Sequence, residues 1–343
     1  MSLIQTSEDT NSTQMSMLVM DKVKLTRFEK LRYKYANQFF VKKLFGITLR
    51  YLLLIGLAFL IVYPLIVKLT NSFMSQQDLI DGTVRFIPKN FTWFNYKTVI
   101  EYTNFYEGLK NTFFVSLLCG VLQMIVCTVI GYGLARFNFK GKGIIFALVV
   151  FTILIPPQTY MISLYMKFRF FDIFGIIKAI TGDTIRLNDT YWPMAILSLT
   201  GFGFKNGLFI LIMRQYFKGI PKELEEAAYV DGSGLFRTFT TIIIPLSFPM
   251  MITIFLFSFS WQWTDTFYSS MFFSRIKLLS NSLLVGFEGL MLPGNTLGLK
   301  PGQPMTSTLT NTMSLMVITP LIIMYLFAQR KLVEGIERSG IVG

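Results

Sequence analysis

Histidine is absent from all 343 residues. With it go the commonest general base and the commonest metal ligand, which excludes Ser-His-Asp hydrolysis and His-ligated zinc chemistry. Cysteine is nearly absent: Cys119 and Cys127 fall in a single apolar run. On a helix their eight-residue separation is roughly 12 Å of rise, too far for a disulfide, so they read as small core residues. No GxxxxGK[ST] phosphate-binding loop occurs. The nearest fragment, Lys140-Gly141-Lys142, lacks the preceding glycine at the right spacing and the following hydroxyl. Any nucleotide that powers this protein is therefore bound by another chain.

What is present is apolar. Hydrophobic residues make up 52% of the chain, the mean hydropathy is +0.53 and there are 35 phenylalanines, more than a soluble domain of this length needs for its core. Lys and Arg number 32 against 19 Asp and Glu, and the excess sits in loops flanking hydrophobic runs. That distribution is the one expected of cytoplasmic loops, not of a nucleic-acid-binding face.

Residues 1–20 are polar and aperiodic, predicting a disordered start, and they lack the architecture of a cleaved signal peptide. Lys22, Lys24, Arg27, Lys30, Arg32, Lys34, Lys42 and Lys43 precede the first long apolar run and predict a cytoplasmic N-terminus. Apolar runs over 46–69, 109–134, 143–165, 191–213, 240–262 and 312–328 are each read as a membrane span. The basic turn at 135–142 belongs to the cytoplasmic side, and Arg330 and Lys331 return the C-terminus there. Pro156-Pro157 breaks the third run, so neighbouring helices or water must satisfy the freed carbonyls. The expectation is an all-α, polytopic membrane helical bundle of six transmembrane helices with a cytoplasmic coupling helix. It comprises a basic, partly disordered cytoplasmic segment (1–45), a membrane domain (46–330) and a cytoplasmic tail (331–343), in a multi-pass protein of the cell membrane with both termini cytoplasmic.

Residues 220–249 form a polar island in this apolar chain. Glu223, Glu225 and Glu226 crowd the first turns after Pro221, where carboxylates oppose the helix dipole favourably. Leu224, Ala227, Ala228 and Leu235 share one small apolar face, and Asp231-Gly232-Ser233-Gly234 supplies a turn. An interfacial helix that merely joins two spans is one reading. A helix docked in a protein groove is the other, favoured by the two alanines and by the angle that the glycine turn and Pro245 impose.

Elsewhere, Lys205 and Asn206 lie inside the fourth run, either on a polar translocation path or as a snorkelling lysine and an interhelical amide. Trp261, Gln262, Trp263 and Asp265 form either a sugar-stacking cluster or an interface belt with a helix-end acid. Asn111 and Gln123 read as interhelical hydrogen-bonding groups.

The pattern Glu226-Ala227-Ala228, three residues, Gly232, nine residues, Ile242-x-Ile244-Pro245 resembles the EAA motif of ABC importer permeases. Leu211–Pro221 (LIMRQYFKGIP) resembles the carbohydrate-type, maltose-permease-like branch. Leu134-Ala135-Arg136-Phe137 with Lys140-Gly141-Lys142, Pro156-Pro157, Trp261-x-Trp263-x-Asp265 and Arg330–Gly343 (RKLVEGIERSGIVG) extend the likeness over roughly residues 40–343. Departures are the N-terminal 40 residues, the long stretch at 178–190, and Lys205 and Asn206.

The resemblance implies the translocation subunit of an ATP-driven importer of carbohydrate. It would lack its own ATPase site, pair as a heterodimer with a second homologous permease, and receive sugar from an extracytoplasmic solute-binding protein. It would bind no cofactor, ATP-Mg being used by a cytoplasmic ABC ATPase dimer. Carried over by position, Glu226, Ala227, Ala228 and Gly232 dock on the ATPase, Glu225 and Asp231 add polar contacts, and Lys205, Asn206, Trp261, Trp263 and Asp265 are the translocation-path candidates. The alternatives are an ABC permease for a sugar phosphate or polyol, or an ion-coupled secondary carrier, which would need a mid-span carboxylate that the runs do not contain.

Overall fold

A computed structural model describes residues 38–203, 205–283 and 303–340, with side chains described for Lys42 and, within those ranges, from residue 44 to residue 330. The expectations for residues 1–37, and those for side chains beyond 330, lie outside the described residues. Among the described residues the chain is built from helices, with two isolated antiparallel bridges, Met74 with Phe91 and Phe171 with Ile185. It divides into two units, residues 1–67 and 68–343.

The first unit holds most of α1 (Gln38–Ser72), whose apolar stretch Leu44–Ser72 is long enough to cross a membrane. Its side chains are hydrophobic on every side, as a lipid-facing helix requires.

The second unit is a bundle. After α2 (Gln76–Ile80) and α3 (Phe94–Thr103) comes α4 (Phe105–Arg136), which crosses near its centre. Next are α5 (Lys142–Leu154), a 3-10 turn (Pro157–Tyr160) and α6 (Met161–Arg169), then α7 (Ile176–Thr181), α8 (Trp192–Leu199), α9 (Asn206–Gly219) and α10 (Glu223–Val230). The continuous helix α11 (Leu235–Thr264), the short α12 (Phe267–Phe272) and α13 (Pro304–Gly340) complete it.

Helices α4, α9 and α11 form the heart of the bundle, and small residues set their spacing. A Cβ at Gly131 of α4 would lie 2.6 Å from the Met213 Cβ of α9, and one at Gly120 would lie 3.1 Å from the Phe255 ring of α11. Backbones approach that closely only where the side chain is missing. Three apolar clusters fill the space. Cys127, Phe209, Met213, Phe217, Ile243 and Ile254 pack one end; Val99, Phe259, Trp263, Leu309 and Met313 join α3, α11 and α13; Val115, Cys119, Phe168, Met194 and Phe272 close the other end. Both cysteines are buried and unbridged, as their spacing predicts.

Among the described residues four helices are each long and apolar enough to cross a membrane, Leu44–Ser72, Phe105–Arg136, Leu235–Thr264 and Pro304–Arg330, and they match the first, second, fifth and sixth of the six expected spans. The third predicted span is a pair, Lys142–Leu154 and Pro157–Arg169, bent by 97° at the two prolines. The fourth, read as continuous over 191–213, is two helices, α8 and α9, separated at 200–205. Hydropathy averages across such a break and cannot register it.

The fifth span begins earlier than its hydropathy, at Leu235, and its turn at Phe239–Ile243 is a π turn. Pro245 cannot donate to Thr241, four residues back, and the wider turn before it absorbs that mismatch. The Thr240 and Thr241 hydroxyls bond the Phe236 and Arg237 carbonyls at 2.9 and 2.6 Å, anchoring the turn.

Candidate functional site

Two places concentrate the chemistry: the elbow between α9 and α11, and a cavity beside the two broken spans.

At the elbow, α9 stops at Gly219, Ile220 turns extended, and α10 begins at Glu223 with its acids in the first turn. Gly232 ends α10. Its φ of +79° is open to glycine at no steric cost, and its N–H bonds the Tyr229 carbonyl at 3.0 Å while the Ser233 N–H bonds that of Ala228 at 2.9 Å. The turn Asp231–Gly234 that the sequence predicts is therefore a helix C-cap that folds the chain back into α11.

Glu225 does not face outward as a docking contact. Its Oε1 lies 2.8 Å from the Arg136 Nε at the end of α4, near enough for the charges though out of line for an N–H bond, with side-chain exposures of 9% and 6%. Tyr132 donates its hydroxyl to Glu225 Oε2 at 3.3 Å, and the Arg136 Nη2 donates to the Ile220 carbonyl at 2.6 Å. The Tyr132 ring packs on Phe217 of α9 and Phe239 of α11, centroids 5.4 and 4.6 Å away. One buried group thus ties α4, α9, α10 and α11 together. Ala228 is buried beside it.

Glu226, Ala227, Asp231 and Gly232 remain exposed. Around them Leu224, Tyr229, Val230, Leu235 and Phe236 are exposed too, Val230 at 87% and Phe236 at 76%. The tip is an apolar knob rimmed by carboxylates, held by a buried brace. The sequence pattern contained Arg136 and Tyr132 but gave no sign that they would meet Glu225, because that contact spans some 90 residues.

The second place is a cavity of about 590 Å³ beside the bent pair α5/α6 and the break between α8 and α9. Lys205 and Asn206 both line it. Lys205 opens α9 in the left-handed conformation, φ +66°, and its ammonium lies 5.5 Å from the centre of the Trp261 ring, which stacks on Phe209. Asn206 is fully buried and donates its Nδ2 to the Ser198 carbonyl at 3.0 Å, and the Cys127 thiol lies 3.7 Å from the Asn206 carbonyl. These bonds replace part of the helix ladder lost at the break. Ser258 donates to Gln123 Oε1 at 2.5 Å, and the Gln123 amide approaches Ser198, so Gln123 is an interhelical group. Asn111 is another, donating to the Lys277 carbonyl and accepting from Tyr191.

Of the other candidates, Trp261 does not line the cavity and is near it only through its contact with Lys205, and Trp263 and Asp265 are not brought to it at all. Trp263 is fully buried against α13 and donates its ring N–H to the Val317 carbonyl at 3.0 Å. Asp265 is buried and caps α12, accepting from the Ser269 N–H at 2.8 Å and the Ser269 hydroxyl at 2.9 Å. Both are core residues; neither presents a surface to a solute. Sequence reasoning missed Thr152, Tyr160, Lys167 and Tyr268 as lining residues. The one available signal was Pro156-Pro157, since a broken helix next to protein commonly borders a cavity.

Among the described residues no group of His, Cys, Asp and Glu is arranged to hold a metal ion.

The pattern of the family described as "Binding-protein-dependent transport system inner membrane component" matches residues 127–333, more than half of the chain. The chain is 29% identical over 259 residues to the alpha-glucoside transport system permease protein AglG of Rhizobium meliloti, covering 75% of this chain and 62% of that one. It is 26% identical over 305 residues to the arabinooligosaccharides transport system permease protein AraQ of Halalkalibacterium halodurans, covering 86% and 97%. Among solved structures, a bacterial ABC transporter involved in the import of the acidic polysaccharide alginate superposes with a TM-score of 0.67 at 24% identity, over 84% of this chain and 97% of that one. That likeness shows a shared fold.

Proposed function

The chain belongs to the inner-membrane components of binding-protein-dependent transport systems, and from that premise we propose that it is the translocation subunit of an ATP-driven importer of carbohydrate. The observation that carries the proposal is the exposed Glu226-Ala227 tip with its Gly232 cap, set on a buried brace between two membrane helices. A lipid-lying connector has no use for a rigid, angled knob; a lever seated in another protein's cleft requires one.

In this reading the tip docks on a cytoplasmic ATPase dimer that uses ATP-Mg, this chain having no nucleotide site and binding no cofactor. A homologous permease completes the channel, and a solute-binding protein delivers sugar to the outer face. Both termini are cytoplasmic. When the ATPase closes, it shifts the seated knob, and rigid-body rocking of the attached helices alternates access. The cavity lined by Lys205 and Asn206 is this chain's share of the path. The sugar class rests on the carbohydrate permeases that the chain is similar to.

The test is Glu226→Lys in the reconstituted complex. The expected outcome is protein at normal level in the membrane with sugar uptake and sugar-stimulated ATP hydrolysis lost together. Normal uptake and normal stimulation in that variant would refute the docking role.

A further inference from the structure

We propose that the end of the bundle carrying the elbow holds an anionic phospholipid, with its phosphodiester headgroup between α5 and α9 and an acyl chain along the outer face of α5. The proposal needs the chain's place in a membrane and not the identity of its cargo.

Four cations meet there from three segments. Lys142 is the first residue of α5, Arg214 and Lys218 are one turn apart near the end of α9, and Lys222 stands just before α10. The charges of Arg214, Lys218 and Lys222 all act on Lys142, so the fold gathers the four although α5 and α9 are far apart in the chain. Like charges gathered in this way repel one another unless a counter-charge joins them. Among the described residues the ion pairs are Lys89 with Asp81, Arg136 with Glu225 and Arg186 with Asp189, and none includes these cations. Glu225, the buried acid of the elbow, is already taken by Arg136, and neither exposed acid of α10, Glu223 or Glu226, pairs with any of the four.

Two of the cations are held in place. The Arg214 Nε donates to the Leu134 carbonyl of α4 at 3.4 Å, and its guanidinium lies 3.9 Å from the centre of the Phe146 ring of α5. These contacts fix the plane of the guanidinium and leave its two Nη groups for an oxyanion, the fork that a phosphate accepts. The Lys142 ammonium donates to the Phe137 carbonyl at 2.8 Å and has two further N–H groups to give. Lys218 and Lys222 are exposed on long stems that can close over a headgroup.

Beyond the cations α5 is apolar and uncovered. None of its residues is buried, and Ile144, Leu148 and Phe151, each more than half exposed, share one face over about 10 Å of helix that begins two residues after Lys142. A basic cluster at the head of an apolar stripe matches a lipid with a negative headgroup. A second permease on that face would need no cations at its head, and a soluble anion would need no stripe.

The experiment uses the assembled complex, with its partner permease and ATPase, in nanodiscs of phosphatidylcholine containing a trace of phosphatidylglycerol with a photoreactive acyl chain. Labelling of residues 144–151 is expected to exceed at least fivefold that given by phosphatidylcholine with the same chain. Unlabelled phosphatidylglycerol should displace it and soluble glycerol 3-phosphate at the same concentration should not, which separates a lipid from a free phosphate. Lys218→Gln/Lys222→Gln changes two exposed side chains and is expected to lower the labelling at least threefold, whereas Lys218→Arg/Lys222→Arg should retain it. Equal labelling by the two lipids, full displacement by glycerol 3-phosphate, or labelling unchanged in the glutamine variant overturns the proposal. Two further results overturn it by naming another occupant: cross-linking of Leu148→Cys to the partner permease with no lipid labelling, or loss of the ATPase from the glutamine variant with labelling unchanged.

Discussion

At the scale of single residues, two carboxylates illustrate how burial decides a role. Glu225 and Arg136 form a charged pair that water hardly reaches. Such a pair adds little over an apolar replacement of both partners, but removing one leaves the other charge buried and alone, at a cost of about 3–5 kcal/mol. Glu225→Ala is therefore expected to lower the thermal unfolding temperature of the purified protein sharply, and the double variant Glu225→Leu/Arg136→Met to recover a good part of the loss. A single variant as stable as the wild type would show that the brace is not holding the elbow.

Asp189, in the loop before α8, is the counterpart. Its carboxylate takes the N–H groups of Ser274 and Arg275 at 2.6 and 3.0 Å and the Ser274 hydroxyl at 2.8 Å, clamping two loops. Burial acts to raise this carboxyl, but those N–H donors, the hydroxyl and Arg186 outweigh it and hold it below the ordinary aspartate range. A depressed folded-state value means that the clamp contributes at neutral pH and is lost as the pH falls through that value. Hydrogen-exchange protection of Ser274 and Arg275, measured against the intrinsic rate at each pH, is expected to be high at pH 7 and to fall in acid below the usual aspartate range. Asp189→Asn should show little protection at either pH, and equal protection in variant and wild type would rule the clamp out.

At the scale of elements, glycines of opposite kind separate packing from capping. A side chain at Gly131 collides with α9, whereas one at Gly232 meets nothing within 4 Å and is opposed only by its backbone, at about 1–2 kcal/mol. Gly131→Leu is expected to reduce folded protein in the membrane. Gly232→Val should leave the bundle intact and disturb only the angle of the tip, visible as lost uptake at normal protein level. Normal transport in Gly232→Val would show that the angle is unimportant.

Much of this was legible in the chain. Long apolar runs, the basic turn at 135–142, the double proline and the motif around Glu226 are local patterns, and each predicted an element that the structure contains. The break at 200–205 was not legible, because Leu199, Phe202 and Leu208 keep the hydropathy high across it. Glu225 looked like its neighbour Glu226 and acquired its inward role only when α10 folded against Arg136. Trp263 and Asp265 resembled a solute cluster because their spacing is the same whether they face a channel or a core.

At the scale of the whole molecule, the second unit reads as a bundle with two working ends joined by α9 and α11. The cavity lies at the start of α9, and the knob hangs from its end and from the start of α11. In the proposed reading a shift of the knob travels along α9 and α11 toward the residues beside the cavity, and Tyr132 with the Arg136–Glu225 pair links α4 to the same elbow. The central claim is that the knob sits in another protein. Because Cys119 and Cys127 are both buried, an exposed cysteine introduced alone gives a clean cross-linking signal. The most direct test is a pair of such variants in membranes containing the assembled complex: Val230→Cys at the tip and Phe174→Cys on the α6–α7 turn, where the side chain is 99% exposed. The account predicts that Val230→Cys cross-links to the ATPase subunit, with a yield that changes on adding ATP, and that Phe174→Cys does not. A complex that co-purifies intact but in which Val230→Cys never reaches the ATPase, or Phe174→Cys does, would contradict it.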